Sequence, residues 1–254
     1  TFYLTGGDTG VKEILQILLD ADLDPDCVVG ERLSYPEERI LKGKASELVA
    51  QDFHSLSVVL VFFKNKSKKY LKDDDFQRGK VPMTKENLRS VILHKLAPMP
   101  DDVLYDLGSG TGSICISLAL LEPRARVYAT EHKEEALELS RQNRLALGAY
   151  NLSLYDGRSE ELLHLFPAPT KVFVGGSSGG LKKTLEQLVN KGPFYFLMSA
   201  ITLESLEEGR KLLQEFGFLN ISVTQIAVTN TVKRGDYTMM QAENPIFLLE
   251  GDYA

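Results

Sequence analysis

Apolar residues along this chain change their spacing in blocks, and those blocks predict most of the secondary structure. Phe2-Tyr3-Leu4 reads as a strand, followed by a Gly6-Gly7-Asp8-Thr9-Gly10 turn. Val11, Ile14, Leu15, Leu18 and Leu19 then recur at helical spacing, the inward stripe of an amphipathic helix that Asp24-Pro25-Asp26 ends. Cys27-Val28-Val29 predicts a second strand, Ser46 to Gln51 a short helix, and Val58-Val59-Leu60-Val61-Phe62-Phe63 a buried strand. Residues 1–63 therefore form a small α/β segment with too few elements to enclose a convincing core alone. The pattern breaks over residues 64–80, where Lys64-Asn65-Lys66-Ser67-Lys68-Lys69 and Asp73-Asp74-Asp75 have the charge-blocked composition of a linker.

From Val81 to the end the alternation is regular. Val103-Leu104-Tyr105, Arg126–Glu131, Leu152–Tyr155, Lys171–Val174 and Phe194–Met198 read as strands. Between them lie helical stretches at Ser113–Leu121, Glu134–Leu147 (closed by Gly148), Leu181–Asn190 and Leu203–Phe216. Ile221–Val228 and Ile246–Glu250 are predicted to pair as a closing antiparallel hairpin. Strands that alternate with helices call for a mostly parallel sheet covered on both faces. The expected fold over residues 81–254 is thus Rossmann-like α/β, with a seven-stranded, mostly parallel sheet and a C-terminal antiparallel hairpin.

Composition narrows the class. Of 254 residues, 43% are hydrophobic and 25% charged, as in an ordinary globular protein, and the net charge of −6 argues against a nucleic-acid partner. Cys27 and Cys115 are too few and too far apart for a disulfide framework or a metal site, which fits a reducing, cytoplasmic setting. His54, His94, His132 and His164 share no metal-ligand spacing, so no metal is expected. No apolar run approaches the roughly 18 residues of a membrane span, and no signal peptide is visible. The chain opens at Thr1 directly on a strand-like stretch, which suggests that it is cut from something longer.

The most informative chemistry lies in Asp106-Leu107-Gly108-Ser109-Gly110-Thr111-Gly112, between a strand and a helix. Glycines there permit close backbone approach, and the helix N-terminus offers free N–H groups to a nucleotide-like ligand. A dinucleotide fold wants glycine or alanine where this chain has Ser113, so a nicotinamide-dependent oxidoreductase is disfavoured. The D-x-G-x-G-x-G form suits S-adenosylmethionine, whose charged methionine end calls for an acidic neighbour. Ligands of open parallel sheets lie beyond the carboxyl ends of the strands. At the second strand end Glu131 is placed to accept the ribose hydroxyls; at the third, Asp156 is placed to meet the adenine amino group, with Gly157 making room. The fourth ends in Gly175-Gly176-Ser177. Any one of these residues alone would read as a structural turn or a solvated acid. Three acids at three consecutive strand ends favour the cofactor reading over a non-catalytic binding module. No N-P-P-Y tetrad, as amino-methylating enzymes use, follows strand four.

Residues 81–254 resemble the decarboxylating precorrin methyltransferases of cobalamin biosynthesis. The resemblance rests on the lead-in motif Arg78-Gly79-Lys80-Val81-Pro82-Met83-Thr84-Lys85, the glycine turn, and the strand-four loop Gly175-Gly176-Ser177-Ser178-Gly179. Ser199-Ala200-Ile201-Thr202-Leu203-Glu204 matches the strand-five end, although the family more often has Asn at the position of Ser199. Tyr237-Thr238 with Asn244-Pro245-Ile246-Phe247 resembles the C-terminal strand pair. The resemblance implies a class I S-adenosylmethionine-dependent enzyme, a homotetramer, that methylates C15 of a precorrin and decarboxylates a ring acetate.

Pairing the departing carboxylate with a cation would stabilise the ground state and oppose loss of CO2, so basic residues should hold the other acetates and propionates. Arg78, Lys80, Lys85, Lys233 and Arg234 are the candidates, with Thr84, Ser177 and Thr202 as hydrogen-bonding partners of cofactor or substrate. No residue stands out as a proton-transfer catalyst. Gly30-Glu31-Arg32-Leu33-Ser34-Tyr35-Pro36-Glu37-Glu38 resembles the C-terminal half of a tetrapyrrole methylase domain, which precedes the methyltransferase in fused members of the family. Because the glycine-rich beginning of that domain is not in this sequence, a C5-methylating site is expected to be incomplete within it.

Overall fold

A computed structural model describes residues 1–6, 9–63, 70–175 and 179–254 of the chain. Two compact units emerge, Thr1–Lys66 and Ser67–Ala254. The first contains β1 (Phe2–Leu4), α1 (Val11–Asp20), β2 (Asp26–Glu31), β3 (Arg39–Lys44), α2 (Ala45–Leu48) and β4 (Ser57–Phe62). Its sheet runs β1-β4-β2-β3 and is antiparallel throughout. Val11, Ile14, Leu15 and Leu18 of α1 are buried with Val29 and Val59, so this small unit has a core of its own. The apolar pattern did not reveal β3. Its sequence Arg-Ile-Leu-Lys-Gly-Lys carries three exposed charges, Arg39, Lys42 and Lys44, which is how an edge strand is protected from further pairing.

The second unit begins earlier than the linker composition of residues 64–80 suggests. Leu71 and Phe76 are buried and flank a 3₁₀ turn at Asp73–Asp75. The buried Arg89 guanidinium holds this stretch: it donates to the Leu71 carbonyl (2.8 Å), Asp73 Oδ1 (3.1 Å) and the Thr84 carbonyl (2.8 Å), and lies 5.0 Å from the Phe76 ring centroid. Residues 71–76 are therefore packed chain, and the charges that read as a linker include the partner of a buried arginine.

The remaining elements are α3 (Glu86–Leu96), β5 (Val103–Leu107), α4 (Ser113–Leu121), β6 (Arg126–Glu131), α5 (Glu134–Leu147), β7 (Leu152–Asp156), α6 (Ser159–Leu162), β8 (Lys171–Val174), α7 (Leu181–Leu188), β9 (Phe194–Ala200), α8 (Leu203–Glu215), β10 (Leu219–Ile226), β11 (Thr229–Arg234), β12 (Tyr237–Ala242) and β13 (Ile246–Tyr253). The seven-stranded sheet has the order β10-β13-β9-β8-β5-β6-β7. Strands β9, β8, β5, β6 and β7 are parallel, while β13 is antiparallel to both β9 and β10. Every residue of β5 is buried, because the sheet is covered on both sides. Leu88, Ile92 and Leu96 of α3 pack on one face with Ile114 to Ala119 of α4; Leu181, Leu185 and Leu188 of α7 pack on the other with Leu212 and Leu213 of α8.

The expected closing hairpin needs correction. Strands β10 and β13 do pair, Ser222 to Ile226 against Glu250 to Ile246, but they are not consecutive. A separate antiparallel ribbon, β11–β12, lies between them. Nearly all its residues are exposed, so it carries no burial pattern for a sequence reading to detect. No helix among the described residues is long and apolar enough to cross a membrane.

Candidate active site

Connections from β5 run outward to β6 and β7 on one side, and the chain then crosses to β8 and β9 on the other. Beyond the carboxyl ends of β5 and β8 such a reversal leaves a crevice, and the glycine turn occupies it. The turn is fixed by backbone bonds. The Gly108 and Ser109 amides both donate to the Thr130 carbonyl at 3.0 Å, Gly112 donates to the Ser109 carbonyl at 3.0 Å, and Gly175 donates to the Leu107 carbonyl at 3.1 Å. Gly112 begins α4 with φ of +80°, and a Cβ there would stand 2.4 Å from Ser140 Oγ. Only glycine meets both conditions.

With glycine at its N-cap, α4 has no side-chain cap of its own. Asp106 supplies one from the end of β5: Oδ2 accepts the Cys115 amide at 3.0 Å. Its other oxygen, Oδ1, is buried with no partner, as are Ser109 Oγ and Thr111 Oγ1. Burial pushes the Asp106 carboxyl up to about 7; hydrogen bonds from Cys115 oppose the shift and the nearby Glu131 charge adds to it. The Cys115 thiol is held well above its ordinary range by burial and by Asp106.

Glu131 ends β6 with its carboxylate turned onto the glycine turn. Oε2 accepts the Gly110 amide at 2.8 Å, while Oε1 accepts the His132 and Lys133 amides, each at 2.9 Å. In front of these groups lies a cavity of about 410 Å³. Lys80, Val81 and Pro82 form one wall; Gly108, Gly110, Thr130 to Lys133 and Gly175 form the floor; Glu135, Ala136 and Gly157 to Glu160 complete it.

The structure thus brings Lys80, Gly108, Gly110, Glu131, Gly157 and Gly175 together around one space, with Asp106, Ser109, Thr111 and Gly112 buried in the turn behind it. Other expected residues stand elsewhere. Asp156 is exposed and does not line the cavity, whereas the neighbouring Gly157 does, its amide donating to the Glu131 carbonyl at 3.0 Å. Thr84 contributes its carbonyl to Arg89, and Lys85 is the N-cap of α3. Thr202 is the N-cap of α8, its Oγ1 accepting the Ser205 amide at 3.1 Å. Arg78 is exposed outside the cavity lining, and Lys233 and Arg234 lie on the β11–β12 ribbon. Gly176 and Ser177 lie outside the described residues.

Sequence reasoning missed Lys133, Glu135, Arg158, Ser159 and Glu160 as lining residues. Their signal was proximity: they follow the ends of β6 and β7 by a few positions. Ser159 is also tied to β6 by a 2.8 Å bond between its Oγ and Thr130 Oγ1. Among the described residues no group of His, Cys, Asp and Glu is arranged to hold a metal ion.

Comparison with known proteins agrees with this architecture. A probable cobalt-precorrin-6B C(15)-methyltransferase (decarboxylating) of Pyrobaculum calidifontis is 39% identical over 185 residues, 70% of this chain and 92% of that protein. Precorrin-6y C5,15-methyltransferase of Geobacter metallireducens superposes with a TM-score of 0.67 at 29% identity, over 72% of this chain and 95% of that one. Precorrin 8W decarboxylase of Methanobacterium thermoautotrophicum gives 0.66 at 30% identity, over 71% and 98%. An S-adenosylmethionine-dependent O-methyltransferase of Thermotoga maritima, 15% identical with a TM-score of 0.56, shares the fold alone. The fold is that of class I S-adenosylmethionine-dependent methyltransferases, and with residues 74–250 matching the family model of the precorrin methyltransferase domain, the chain belongs to that family of enzymes.

Proposed function

We propose that this chain methylates C15 of a precorrin with S-adenosylmethionine and promotes decarboxylation of a ring acetate, a step in building the corrin ring. One observation carries the reading: a single cavity is bounded both by the glycine turn with Glu131 and by Lys80-Val81-Pro82 of the family's lead-in motif. Cofactor and substrate determinants therefore face the same space.

The residues present fit the cofactor. Asp106 Oδ1, Ser109 Oγ and Thr111 Oγ1 are buried polar atoms with open hydrogen-bonding capacity, suited to a charged amino-acid end. The glycines at 108 and 110 leave room for it, Gly112 lets α4 start against Ser140, Glu131 takes the ribose, and we place the adenine beside Gly157 and Ser159 instead of on the exposed Asp156 carboxylate. When bound, S-adenosylmethionine supplies an electrophilic methyl group. What the protein adds is alignment with the substrate carbon and exclusion of water. Lys80 lines the cavity and is the first candidate to hold a substrate carboxylate. Arg78, Lys85, Lys233 and Arg234 are the further basic candidates, Gly175 lines the cavity, and Gly176 and Ser177, the residues next in sequence, are kept as cofactor and substrate candidates. None of these bases should pair with the acetate that leaves.

We read residues 1–63 as the C-terminal part of a tetrapyrrole methylase domain, on the Gly30–Glu38 stretch, and the assembly as a homotetramer. The test of function is incubation with a precorrin-6B-type substrate, cobalt-free and cobalt-containing in parallel, and labelled S-adenosylmethionine. Gain of one labelled methyl and loss of one CO2 are expected. Absence of both products with either substrate would refute the reading.

A further inference from the structure

Gln77 to Pro82 form an arch beside the glycine turn. Arg89 fixes its flanks, through the Leu71 carbonyl and Asp73 on one side and the Thr84 carbonyl on the other. Its first residue rests on the side chain of Asn143 of α5, which is 1% exposed. Asn143 Oδ1 accepts the Gln77 amide at 2.8 Å, and Nδ2 donates to the Gln77 carbonyl at 2.8 Å. The same Nδ2 donates to the Thr111 carbonyl, within the glycine turn, at 3.0 Å. One amide group thus bonds both the arch and the turn. Beyond Gln77 the arch turns at Gly79, with φ of +51°, and the Val81 amide donates to the Arg78 carbonyl at 3.0 Å. Lys80 and Pro82 then reach the cavity wall. A Cβ on Gly110 would lie 3.6 Å from the Pro82 carbonyl oxygen, so arch and turn also meet beside the cavity.

We propose that Asn143 is a positioning residue that couples the glycine turn to the 77–82 arch, so that a cofactor seated on the turn fixes the wall that carries Lys80. The bridge supports this because an amide has both an acceptor and donors in one rigid plane. Neither aspartate nor leucine, which match it in size, supplies both. The two Nδ2 hydrogens serve one carbonyl each, so displacing the Thr111 carbonyl either leaves a buried N–H unpaired or draws the amide plane away from Gln77. By linkage, anything that orders the turn then orders the arch, and the reverse.

The inference rests on the S-adenosylmethionine reading of the turn, and its test separates the two. S-adenosylhomocysteine is titrated calorimetrically into the full chain, and amide hydrogen exchange over residues 77–81 is followed with and without it. Failure to bind in the parent protein would refute the cofactor reading itself. Binding without slower exchange at 77–81 would overturn the coupling alone, and this measurement needs no variant. The expected result is binding with slowed exchange.

In Asn143→Ala, affinity should fall about tenfold, the scale of one lost net hydrogen bond, and ligand should no longer slow exchange in the arch. Leu147→Ala, one turn along the same helix and also buried, serves as the control for general destabilisation. It should lower Tm while keeping ligand-dependent protection at 77–81. Equal loss of protection in both variants, or its retention in Asn143→Ala, would overturn the assignment. Should Asn143→Ala not fold, Asn143→Asp is read by the same criteria.

Discussion

Glu131 Oε2 accepts the Gly110 amide at 2.8 Å, so the tip of the turn that follows β5 is held by the strand beside it. The other carboxylate oxygen already receives the His132 and Lys133 amides. A carboxylate offers about four acceptor positions, so one of this one's goes to the turn, two go to the backbone that follows β6, and the remainder is left for the cavity. Glu131→Ala should reduce S-adenosylhomocysteine affinity by roughly 1.5–3 kcal/mol, the range for charge-assisted hydrogen bonds. Glu131→Gln, which keeps one acceptor oxygen, should lose less. Calorimetric titration distinguishes them, and unchanged affinity in Glu131→Ala would remove this residue from the site.

Asp106 sets stability against binding. Its folded-state value of about 7 lies above the ordinary 3.8, so the native protein holds the extra proton and the stability that goes with it is lost as pH rises from about 4 through 7. Asp106→Asn keeps an oxygen for the Cys115 amide and removes the charge. It should raise stability at pH 8, by up to on the order of 4 kcal/mol, with little change at pH 4. Ligand affinity should fall in the same variant. Scanning calorimetry at the two pH values reads the first effect, and a flat difference across pH would contradict it.

Gly112→Ala meets two separate penalties. The left-handed backbone costs a non-glycine residue about 1–2 kcal/mol, and the added carbon would stand 2.4 Å from Ser140 Oγ. Combining it with Ser140→Ala should recover part of the overlap, since Ile116 Cδ1 would also stand 2.9 Å from the added carbon, and leave the backbone cost. Urea denaturation of the two variants separates the terms. No recovery in the pair would mean that Ser140 is not the obstacle.

Arg89→Met should lower stability by about 2–4 kcal/mol. That is below the full cost of breaking a buried ion pair, because Asp73 reaches water while the Leu71 and Thr84 carbonyls do not all regain partners. Arg89→Lys restores the charge but not the planar fork, so it should recover only part of the loss. The chemical midpoint checks both.

Lys80→Ala should weaken tetrapyrrole binding and leave S-adenosylhomocysteine binding nearly unchanged, since an exposed cation contributes roughly 1 kcal/mol or less per contact. Parallel titrations with the two ligands test this. Equal loss of both would move Lys80 from substrate to cofactor.

What the sequence revealed follows from what burial writes into it. The fully enclosed β5 and the all-apolar α4 appear as continuous hydrophobic runs, and the glycine turn between them is legible because glycine has few other uses there. Glu131 was identifiable from its place at a strand end. Strands β3, β11 and β12 were invisible because their side chains are mostly exposed, leaving no alternation to find. Arg89 and Asn143 escaped for a different reason. Their partners are mainly backbone carbonyls far along the chain, and a polar residue on a helix looks the same whether it meets such a carbonyl or water. The same strand-end reasoning put Asp156 at the cavity, where the structure has it exposed and outside the lining, because a strand-end position says nothing of which way the carboxylate turns.

The strand order also dictates when the cleft comes into being during synthesis. A chain emerging from its N-terminus can pair β5 with β6 and then β6 with β7, using contacts already made. At that stage the other edge of β5 is bare, and the Leu107 carbonyl has not met the Gly175 amide that later caps it. β8 (from Lys171), well after the glycine turn ends at Gly112, arrives on that edge and supplies the missing side. A ribosome-bound chain stalled after β7 would therefore have the turn, Asp106 and Glu131 in place yet no enclosed crevice. The pocket is a late product of folding, although its most recognisable motif is made early.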